Sequence, residues 1–411
     1  MSRSTCRFCG RALQHVFADL GTSPLANSYL SATQLTEDEA TYPLRVMVCD
    51  GCFLVQLPEL ATPAELFGDY AYFSSFSDTW LRHAERYAEA MIDRLGLGAE
   101  SRVVEIASND GYLLQYFQRR GIPVLGVEPA ANVAAAAEEA GITTLVEFFG
   151  TELAGQLAGE GRRADLLVGN NVLAHVPDIN DFVAGLRVAL APGGVVTMEF
   201  PHLLRLMEEN QFDTIYHEHF SYLSFTTTRR IFDHHGLTLF DVDELPTHGG
   251  SLRIYGRHHE DEARAVTPSV AELAAREEAA GLGTLKPYQR FGEQVRQTRR
   301  RLLEFLAEAK RGGAAIAAYG AAAKGNTLLN FCAVGPETLD YVVDRSPHKQ
   351  GLYLPGTHLP IHPPERLFET RPDLVFILPW NIKDEVMEQM VGIREWGGRF
   401  FVAIPKVEVC G

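Results

Sequence analysis

No stretch of this 411-residue sequence approaches the run of about 20 apolar residues that a membrane-spanning helix needs, so nothing in it is expected to cross a membrane. The first residues, Met-Ser-Arg-Ser-Thr-Cys, lack the apolar core of a secretory signal. A cytoplasmic location is therefore expected, where thiols stay reduced and clustered cysteines point to metal. Positive charge is scarce: 37 basic residues face 53 acidic ones, for a net charge of −16. Such a field repels phosphate polymers and disfavours binding to nucleic acid or to an anionic membrane surface. It leaves room for a small phosphorylated ligand held by a few local cations. No short-period repeat is visible. With 46% hydrophobic residues the chain can fold as a globular protein, and its length predicts two or three domains.

Cysteine is also rare, but four of the six cysteines fall within the first 52 residues. They form Cys6-Arg-Phe-Cys9 and Cys49-Asp-Gly-Cys52, two Cys-x-x-Cys knuckles. Each knuckle presents two thiolates on one tight turn, and two together make a tetrahedral S4 site suited to zinc rather than to redox work. All four positions of such a site are filled, so its role is structural: it folds a segment too small to support its own core.

Residues 53 to about 80 read as a connector rich in aromatic and hydroxyl side chains, and an amphipathic helix is expected from Leu81 to Leu95. Strand and helix then alternate. The strands are Arg102–Ile106, Val124–Glu128, Ile142–Val146, Asp165–Val168 and Gly194–Glu199, with helices notably over Asn132–Ala140 and Ile179–Leu190. This is the layout of a parallel sheet covered on both faces by helices. Residues 260–310 read as helices, and a second α/β unit follows. It has strands at Ala314–Tyr319, Tyr341–Asp344 and Asp373–Leu378, a turn at Gly320–Gly325 and a helix through Asn326–Phe331.

The first strand runs into Glu105-Ile-Ala107-Ser108-Asn109-Asp-Gly111, where small residues at a strand-to-helix turn let a ligand lie against the backbone. The second strand ends in Glu128-Pro129, and a carboxylate there can accept both hydroxyl hydrogens of a ribose. These features suit any adenosine-containing cofactor, NAD included. Three details favour S-adenosylmethionine. Glu105 precedes the turn, where it can organise the loop under the cofactor's amino-acid end. Gly169-Asn170-Asn171-Val-Leu-Ala-His175 resembles the loop after strand four of class I methyltransferases, and Ala191-Pro-Gly-Gly194 before the fifth strand is typical of that class. The class usually shows more glycine, and here Ala107 and Asn109 stand in two of its places. Asn tolerates the left-handed backbone such a turn needs.

Tyr216-His217-Glu218-His219 sets two imidazoles, a carboxylate and a phenol in four consecutive residues, all able to move protons or hold developing charge. The spacing is not that of His-Glu-x-x-His, so a catalytic metal is not expected there. Further on, Gly320-Ala-Ala-Ala-Lys324-Gly325 looks like a phosphate-binding turn at a helix N-terminus with an added cation. It is not a Walker A loop, and although Asp344 ends the next strand, the glycine pattern is thin for a second dinucleotide site.

With these parts in order, the chain resembles the bacterial C-methyltransferases that act on nucleotide-linked 4-keto-6-deoxyhexoses, in particular the C-3 methyltransferases of branched deoxysugar pathways such as those for tetronitrose and mycarose. The resemblance covers nearly the whole chain. It includes the knuckles, the glycine-poor Glu105–Gly111 loop, Asn-Asn-Val-Leu-Ala-His, Tyr-His-Glu-His-Phe, Thr247-His-Gly249-Gly250-Ser-Leu-Arg253 and Tyr319-Gly-Ala-Ala-Ala-Lys-Gly-Asn326. It implies an α/β protein of three parts: a zinc-binding domain with its connector over residues 1–72, a class I methyltransferase domain with a doubly wound sheet over 73–260, and a helical linker with a Rossmann-like domain over 261–411. Residues implied to hold S-adenosylmethionine are Glu105, Ala107, Ser108, Asn109, Gly111, Glu128, Pro129, Asn170, Asn171 and Tyr72.

The reaction would pass through a sugar enolate. His219 is implied as the base, Tyr216 as a donor to the sugar oxygen and Glu218 as a group that orients an imidazole or holds substrate, while His217 has no assigned role. His175 is a second catalytic candidate, and Tyr70 is favoured for substrate contact. Lys324 and Asn326 would meet the diphosphate, helped by Gly249, Gly250 and Arg253, with Asn381 lining the same cleft. The expected substrate is a dTDP-4-keto deoxyhexose and the expected state a monomer. C-5 methylation, another nucleotide, an NAD-dependent sugar oxidoreductase, or a non-catalytic binding protein on this scaffold are the other readings.

Overall fold

A computed structural model of the chain describes residues 5–59 and 73–410. Tyr70 and Tyr72 lie outside the described residues. In chain order the described elements begin with β1 (His15–Ser23), β2 (Tyr42–Val48), β3 (Val55–Gln56) and α1 (Asp78–Leu95). Then come β4 (Val103–Ile106), α2 (Leu114–Arg119), β5 (Val124–Val127), α3 (Ala131–Glu139), β6 (Thr144–Leu145), α4 (Thr151–Gly159), β7 (Ala164–Asn170), α5 (Ile179–Ala189) and β8 (Leu190–Pro201). The middle of the chain holds α6 (Leu203–Glu208), β9 (Ser221–Tyr222), α7 (Phe225–His234), β10 (Leu237–Leu245), β11 (Ser251–His258), α8 (Pro268–Ala279) and α9 (Leu285–Arg311). The last part holds β12 (Ile316–Tyr319), α10 (Ala323–Cys332), β13 (Val342–Val343), β14 (Ile361–His362), α11 (Arg366–Thr370), β15 (Leu374–Ile377), α12 (Lys383–Gln389), β16 (Arg399–Val402) and β17 (Glu408–Cys410). No helix among the described residues is long and apolar enough to cross a membrane.

These elements sort into two compact units. The first comprises Met1–Leu13, Cys49–Leu203 and Phe220–Thr284; the second comprises Gln14–Val48, Leu204–His219 and Leu285–Gly411.

The first unit is built on a sheet in the order β10-β11-β8-β7-β4-β5-β6. Its strands from β8 to β6 are parallel, while β11 pairs antiparallel with both β8 and β10. All four residues of β4 are buried, as expected of a central parallel strand covered on both faces. Helix α1 begins where Ser77 Oγ accepts the Trp80 N–H at 3.3 Å and ends at Gly96 with φ of 64°. The strand order runs outward from β4 in both directions, so the turns after β4 and β7 flank a topological switch point, the place where doubly wound sheets bind ligands. One continuous core takes in Val104, Leu167, Phe182 and Phe200 together with Cys6, Cys49, Cys52 and Leu54 of the knuckles.

The second unit contains the β1–β2 antiparallel hairpin and a sheet in the order β14-β13-β12-β15-β16-β17. The hairpin packs on α9, with Phe17 stacked on Phe291 at 4.6 Å. β12 lies between β13 and β15, to both of which it is parallel, so its C-terminal end borders a second switch point. The Gly320–Gly325 segment expected to be a turn is already helical from Ala323, because Gly325 sits where a Cβ would come within 2.9 Å of Leu378 and thus lets the first turn of α10 pack closely. Gly320, at φ of 95°, faces Pro379 in the same close manner.

Candidate active site and metal centre

The four knuckle sulfurs converge. Cys6 Sγ lies 3.5 Å from Cys52 Sγ, Cys9 Sγ lies 3.5 Å from Cys49 Sγ, and all four fall within 4.8 Å of one another. A tetrahedral S4 site with Zn–S bonds of about 2.3 Å sets its sulfurs about 3.8 Å apart, so this cluster fits zinc. Two donors face the sulfurs: Gln56 Nε2 points at Cys6 Sγ from 3.2 Å and the Gly51 N–H at Cys49 Sγ from 3.4 Å. The same Gln56 amide accepts the Arg7 N–H at 2.9 Å, and Thr227 Oγ1 of α7 donates to the Cys52 carbonyl at 3.0 Å. Both knuckles are thus tied to the first unit.

At the switch point of the first sheet, the turn after β4 holds a left-handed backbone at Ala107 (φ 55°), Asn109 (φ 49°) and Gly111 (φ 77°). Asn109 takes the conformation expected for it, and Ala107 takes it without the help of a polar side chain. Glu128 Oε2 accepts the Asn109 N–H at 3.0 Å, and Oε1 accepts the Ala130 N–H, on the far side of Pro129, at 2.9 Å. Each oxygen keeps a second lone pair for a ribose hydroxyl. Burial raises the Glu128 pKa and raises that of Glu105 well above the carboxylate range; Tyr112 offsets part of the latter and the charges of Asp110 and Glu128 add to it. The Ser108 hydroxyl, both side-chain polar atoms of Asn170 and Asn171 Oδ1 are buried without a hydrogen-bond partner among the described residues. A cluster of unsatisfied buried polar atoms at a switch point is what a polar cofactor would satisfy. Gly126 makes the arrangement possible, since a Cβ there would lie 2.4 Å from Ser108 Oγ. His175 sits in the short turn Leu173–His175 that follows Asn170 and Asn171.

Next to this edge lies a polar cluster that reading the sequence did not single out. Glu199, at the end of β8, accepts from Arg253 Nη2 at 2.6 Å, from His83 Nε2 at 2.9 Å and from Thr247 Oγ1 at 2.9 Å. Burial alone would raise its pKa; His83 and Arg253 reverse this and hold it at about 2. The Arg253 charge is thus matched by a buried carboxylate, and its guanidinium lies 4.5 Å over the Tyr87 ring. Gly249 and Gly250 (φ 89° and 117°) shape the turn ahead of β11, where Gly250 donates to the Thr247 carbonyl at 2.9 Å. In that turn His248 (φ 54°) takes a hydrogen bond from Asn171 Nδ2 at 3.1 Å.

The Tyr216–His219 cluster belongs to the second unit, in the loop after the short Phe212–Thr214 turn. Its four side chains divide by burial: His217 and Glu218 are buried, Tyr216 and His219 partly exposed. His219 Nδ1 lies 2.8 Å from the Thr214 carbonyl. A carbonyl only accepts, so Nδ1 carries the proton and Nε2 is the basic nitrogen of the neutral ring. The Tyr216 ring centroid is 4.0 Å from that of His219. Asn27 Nδ2 donates to Glu218 Oε1 at 2.7 Å, and burial pushes the Glu218 carboxyl up to about 7 despite this bond. His217, left without a role by the sequence, is 3.3 Å from the Pro43 carbonyl and meets the Tyr42 ring edge-on, so it ties the loop to β2.

In the same unit, Lys324 Nζ donates to Asn381 Oδ1 at 2.7 Å and lies 5.0 Å over the Trp380 ring, at the switch point beside β12. Asn326 is buried, and its amide donates to the Ala26 carbonyl at 2.5 Å. Asp344 Oδ2 accepts the Ala321 N–H at 2.8 Å and closes the turn after β12.

A sheet of this order, with a turn of small residues at its switch point, is that of a class I, S-adenosylmethionine-dependent methyltransferase, here joined to a four-cysteine zinc site. Comparison with known proteins narrows the class. Family models match a zinc binding domain at residues 6–67, a methyltransferase domain at 80–242 and a C-methyltransferase C-terminal domain at 246–405. The C-methyltransferase NovU of Streptomyces niveus is 35% identical over 408 residues, 98% of this chain and 96% of NovU. The chain belongs to the bacterial sugar C-methyltransferase family that its motifs indicated, and it is an S-adenosylmethionine-dependent C-methyltransferase. A ubiquinone biosynthesis O-methyltransferase of Rhodopseudomonas palustris is 30% identical over 126 residues, 30% of this chain and 48% of that protein. Among solved structures, magnesium protoporphyrin IX methyltransferase from Synechocystis with bound S-adenosylmethionine covers 47% of this chain and 88% of its own at 14% identity and a TM-score of 0.33.

Proposed function

We propose that the enzyme methylates C-3 of a dTDP-linked 4-keto-6-deoxyhexose or 2,6-dideoxyhexose, in the cytoplasm and as a monomer, within the making of a branched deoxysugar for a natural product or a cell-surface glycan. The observation that carries the mechanism is the 2.8 Å contact from His219 Nδ1 to the Thr214 carbonyl, which presents Nε2 as the base. A hydrogen on carbon beside the C-4 ketone is acidic because its conjugate base is an enolate. His219 Nε2 takes that proton, and the electron pair of the broken C–H bond delocalises onto the C-4 oxygen. Tyr216, held against the His219 ring, donates its hydroxyl hydrogen toward that oxygen as charge builds there. Glu218, protonated for much of the time near neutral pH, holds a sugar hydroxyl without adding a full negative charge beside the enolate. S-adenosylmethionine supplies an electrophilic methyl group: the new C–C bond forms as the C–S bond breaks, and the imidazolium later gives its proton to solvent. Glu105, the Ala107–Gly111 turn, Glu128 and the Asn170–Asn171 pair hold the cofactor, with Pro129 beside Glu128 and Tyr72 as a further contact. His175 and Tyr70 complete the set of residues proposed near the reacting sugar. Lys324 and Asn381 receive the diphosphate.

The test is His219→Asn with a panel of dTDP-4-keto deoxysugars, reading the gain of one methyl group by mass spectrometry. Turnover should fall at least about 100-fold, the range of a lost general base, while S-adenosylmethionine binding measured by calorimetry stays intact. Near-wild-type turnover would remove His219 as the base. Exchange of the C-3 hydrogen in D2O, followed without cofactor, should be lost in the same variant.

A further inference from the structure

Asp213 was assigned nothing by the sequence, yet it stands close to a cation at the second unit's switch point. It belongs to the short turn that leads into the Tyr216–His219 loop, and its side chain is fully buried. Its Oδ2 accepts the Trp380 indole N–H at 2.7 Å, and the backbone N–H groups of Asp213 and Thr214 also favour its carboxylate form. Trp380 in turn lies under Lys324, whose ammonium reaches Asn381. The Trp380–Asn381 turn follows β15, and Lys324 is in the first turn of α10 after β12. Two parallel neighbours thus bring a cation, an amide and an aromatic wall to the crevice where such sheets bind ligands.

We propose that Asp213 is the positioning residue of this crevice: its negative charge holds Lys324 as an ammonium, and its hydrogen bond fixes the Trp380 indole, so that together they receive the substrate's diphosphate. The inference rests on the reading of Lys324 as the diphosphate cation given above.

The charges around Lys324 support it. Burial lowers the Lys324 pKa, and the one charged group among the described residues that acts to raise it is Asp213. Trp380 and Asn381, which face it from the turn after β15, are neutral. Arg299 of α9 lies over Phe331 at the far end of α10. Asp213 itself is pushed up to about 6 by burial, with Lys324 and the Trp380 N–H working against that rise, so above pH 6 it is chiefly the carboxylate. In the absence of that carboxylate, Lys324 would lose its proton at a lower pH, and an uncharged amine does not hold a phosphate.

The experiment is calorimetric binding of dTDP, with UDP and inorganic pyrophosphate for comparison, between pH 7 and 10, above the secondary phosphate ionisation near about 6. In the wild type, affinity should fall as pH rises through the Lys324 pKa. In Asp213→Asn the same fall should begin at least about one pH unit lower, the size expected when an opposite charge is lost nearby. Asp213→Glu, which restores the charge, should return it toward the wild-type position. Trp380→Phe, which removes the indole donor and leaves the charge, should weaken binding by the same factor at every pH. S-adenosylmethionine affinity serves as the folding control for each variant. If Lys324→Ala binds dTDP like the wild type, the diphosphate reading of the crevice fails. If Lys324→Ala binds at least tenfold more weakly but the Asp213→Asn profile runs parallel to the wild type, or Asp213→Glu fails to restore it, the Asp213 inference is overturned and the crevice stands.

Discussion

At the scale of single residues, the buried carboxylates divide into two kinds. Glu199 is held at about 2 by His83 and Arg253, whereas Glu218 rises to about 7 with a single amide for company. The difference predicts opposite contributions to stability. A carboxyl whose folded pKa is raised binds its proton more tightly in the folded state, so stability falls as pH climbs from the ordinary value of 4.5 through about 7. At about 1.4 kcal/mol per unit, Glu218 should cost up to about 3 kcal/mol at pH 8. Glu218→Gln keeps the acceptor for Asn27 and should therefore raise the melting temperature at pH 8, with the gain vanishing toward pH 5. Thermal unfolding at the two pH values checks this, and an equal change at both would show that Glu218 carries no such strain. Neither carboxylate's state is visible in the sequence, because the partners that set it lie far away along the chain. Glu199 meets His83 across 116 positions, and Asp213 meets Trp380 across 167. A dense local cluster such as Tyr216–His219 draws the eye; a pair made only by folding does not.

At the scale of elements, the strand–helix alternation was legible because buried parallel strands are short, apolar and bounded by turns. The strand read at Arg102–Ile106 is β4, Val103–Ile106, and the helix read at Ile179–Leu190 is α5, Ile179–Ala189. The backbone of the Glu105–Gly111 turn was legible at Asn109 from residue type alone. The reason β5 carries a glycine was not, since it concerns a neighbour across the sheet. A Cβ on Gly126 would meet Ser108 Oγ at 2.4 Å and Thr144 Oγ1 at 2.9 Å. Gly126→Ala must push the Glu105–Gly111 turn outward. An overpacking cost of about 1–3 kcal/mol is expected, with S-adenosylmethionine affinity lowered at least about tenfold. Titration calorimetry reads this directly, and unchanged affinity would mean that the turn does not hold the cofactor.

At the scale of the whole molecule, the zinc site shares a core with the methyltransferase sheet, because Cys6, Cys49 and Cys52 pack in the same cluster as Leu167 and Phe200. Structural zinc contributes on the order of 10 kcal/mol to the fold that binds it. Loss of the metal should thus reach the cofactor site. Cys49→Ser is expected to lower the zinc content from one atom per chain toward zero, as read by plasma emission, and to weaken S-adenosylmethionine binding in parallel; zinc loss with full cofactor affinity would separate the two. The way the chain is shared between units has a further consequence. It passes from one unit to the other at residues 13/14, 48/49, 203/204, 219/220 and 284/285. Segments 14–48 and 204–219 are therefore loops anchored at both ends in a unit to which they do not belong. No single cut separates the two units. A fragment covering the C-terminal family match at residues 246–405 would lack the β1–β2 hairpin and the whole Tyr216–His219 cluster. Chimeras between relatives, made to exchange the second unit, would have to transplant three separated stretches together, and a ribosome must deliver the last of them before the first can find its place.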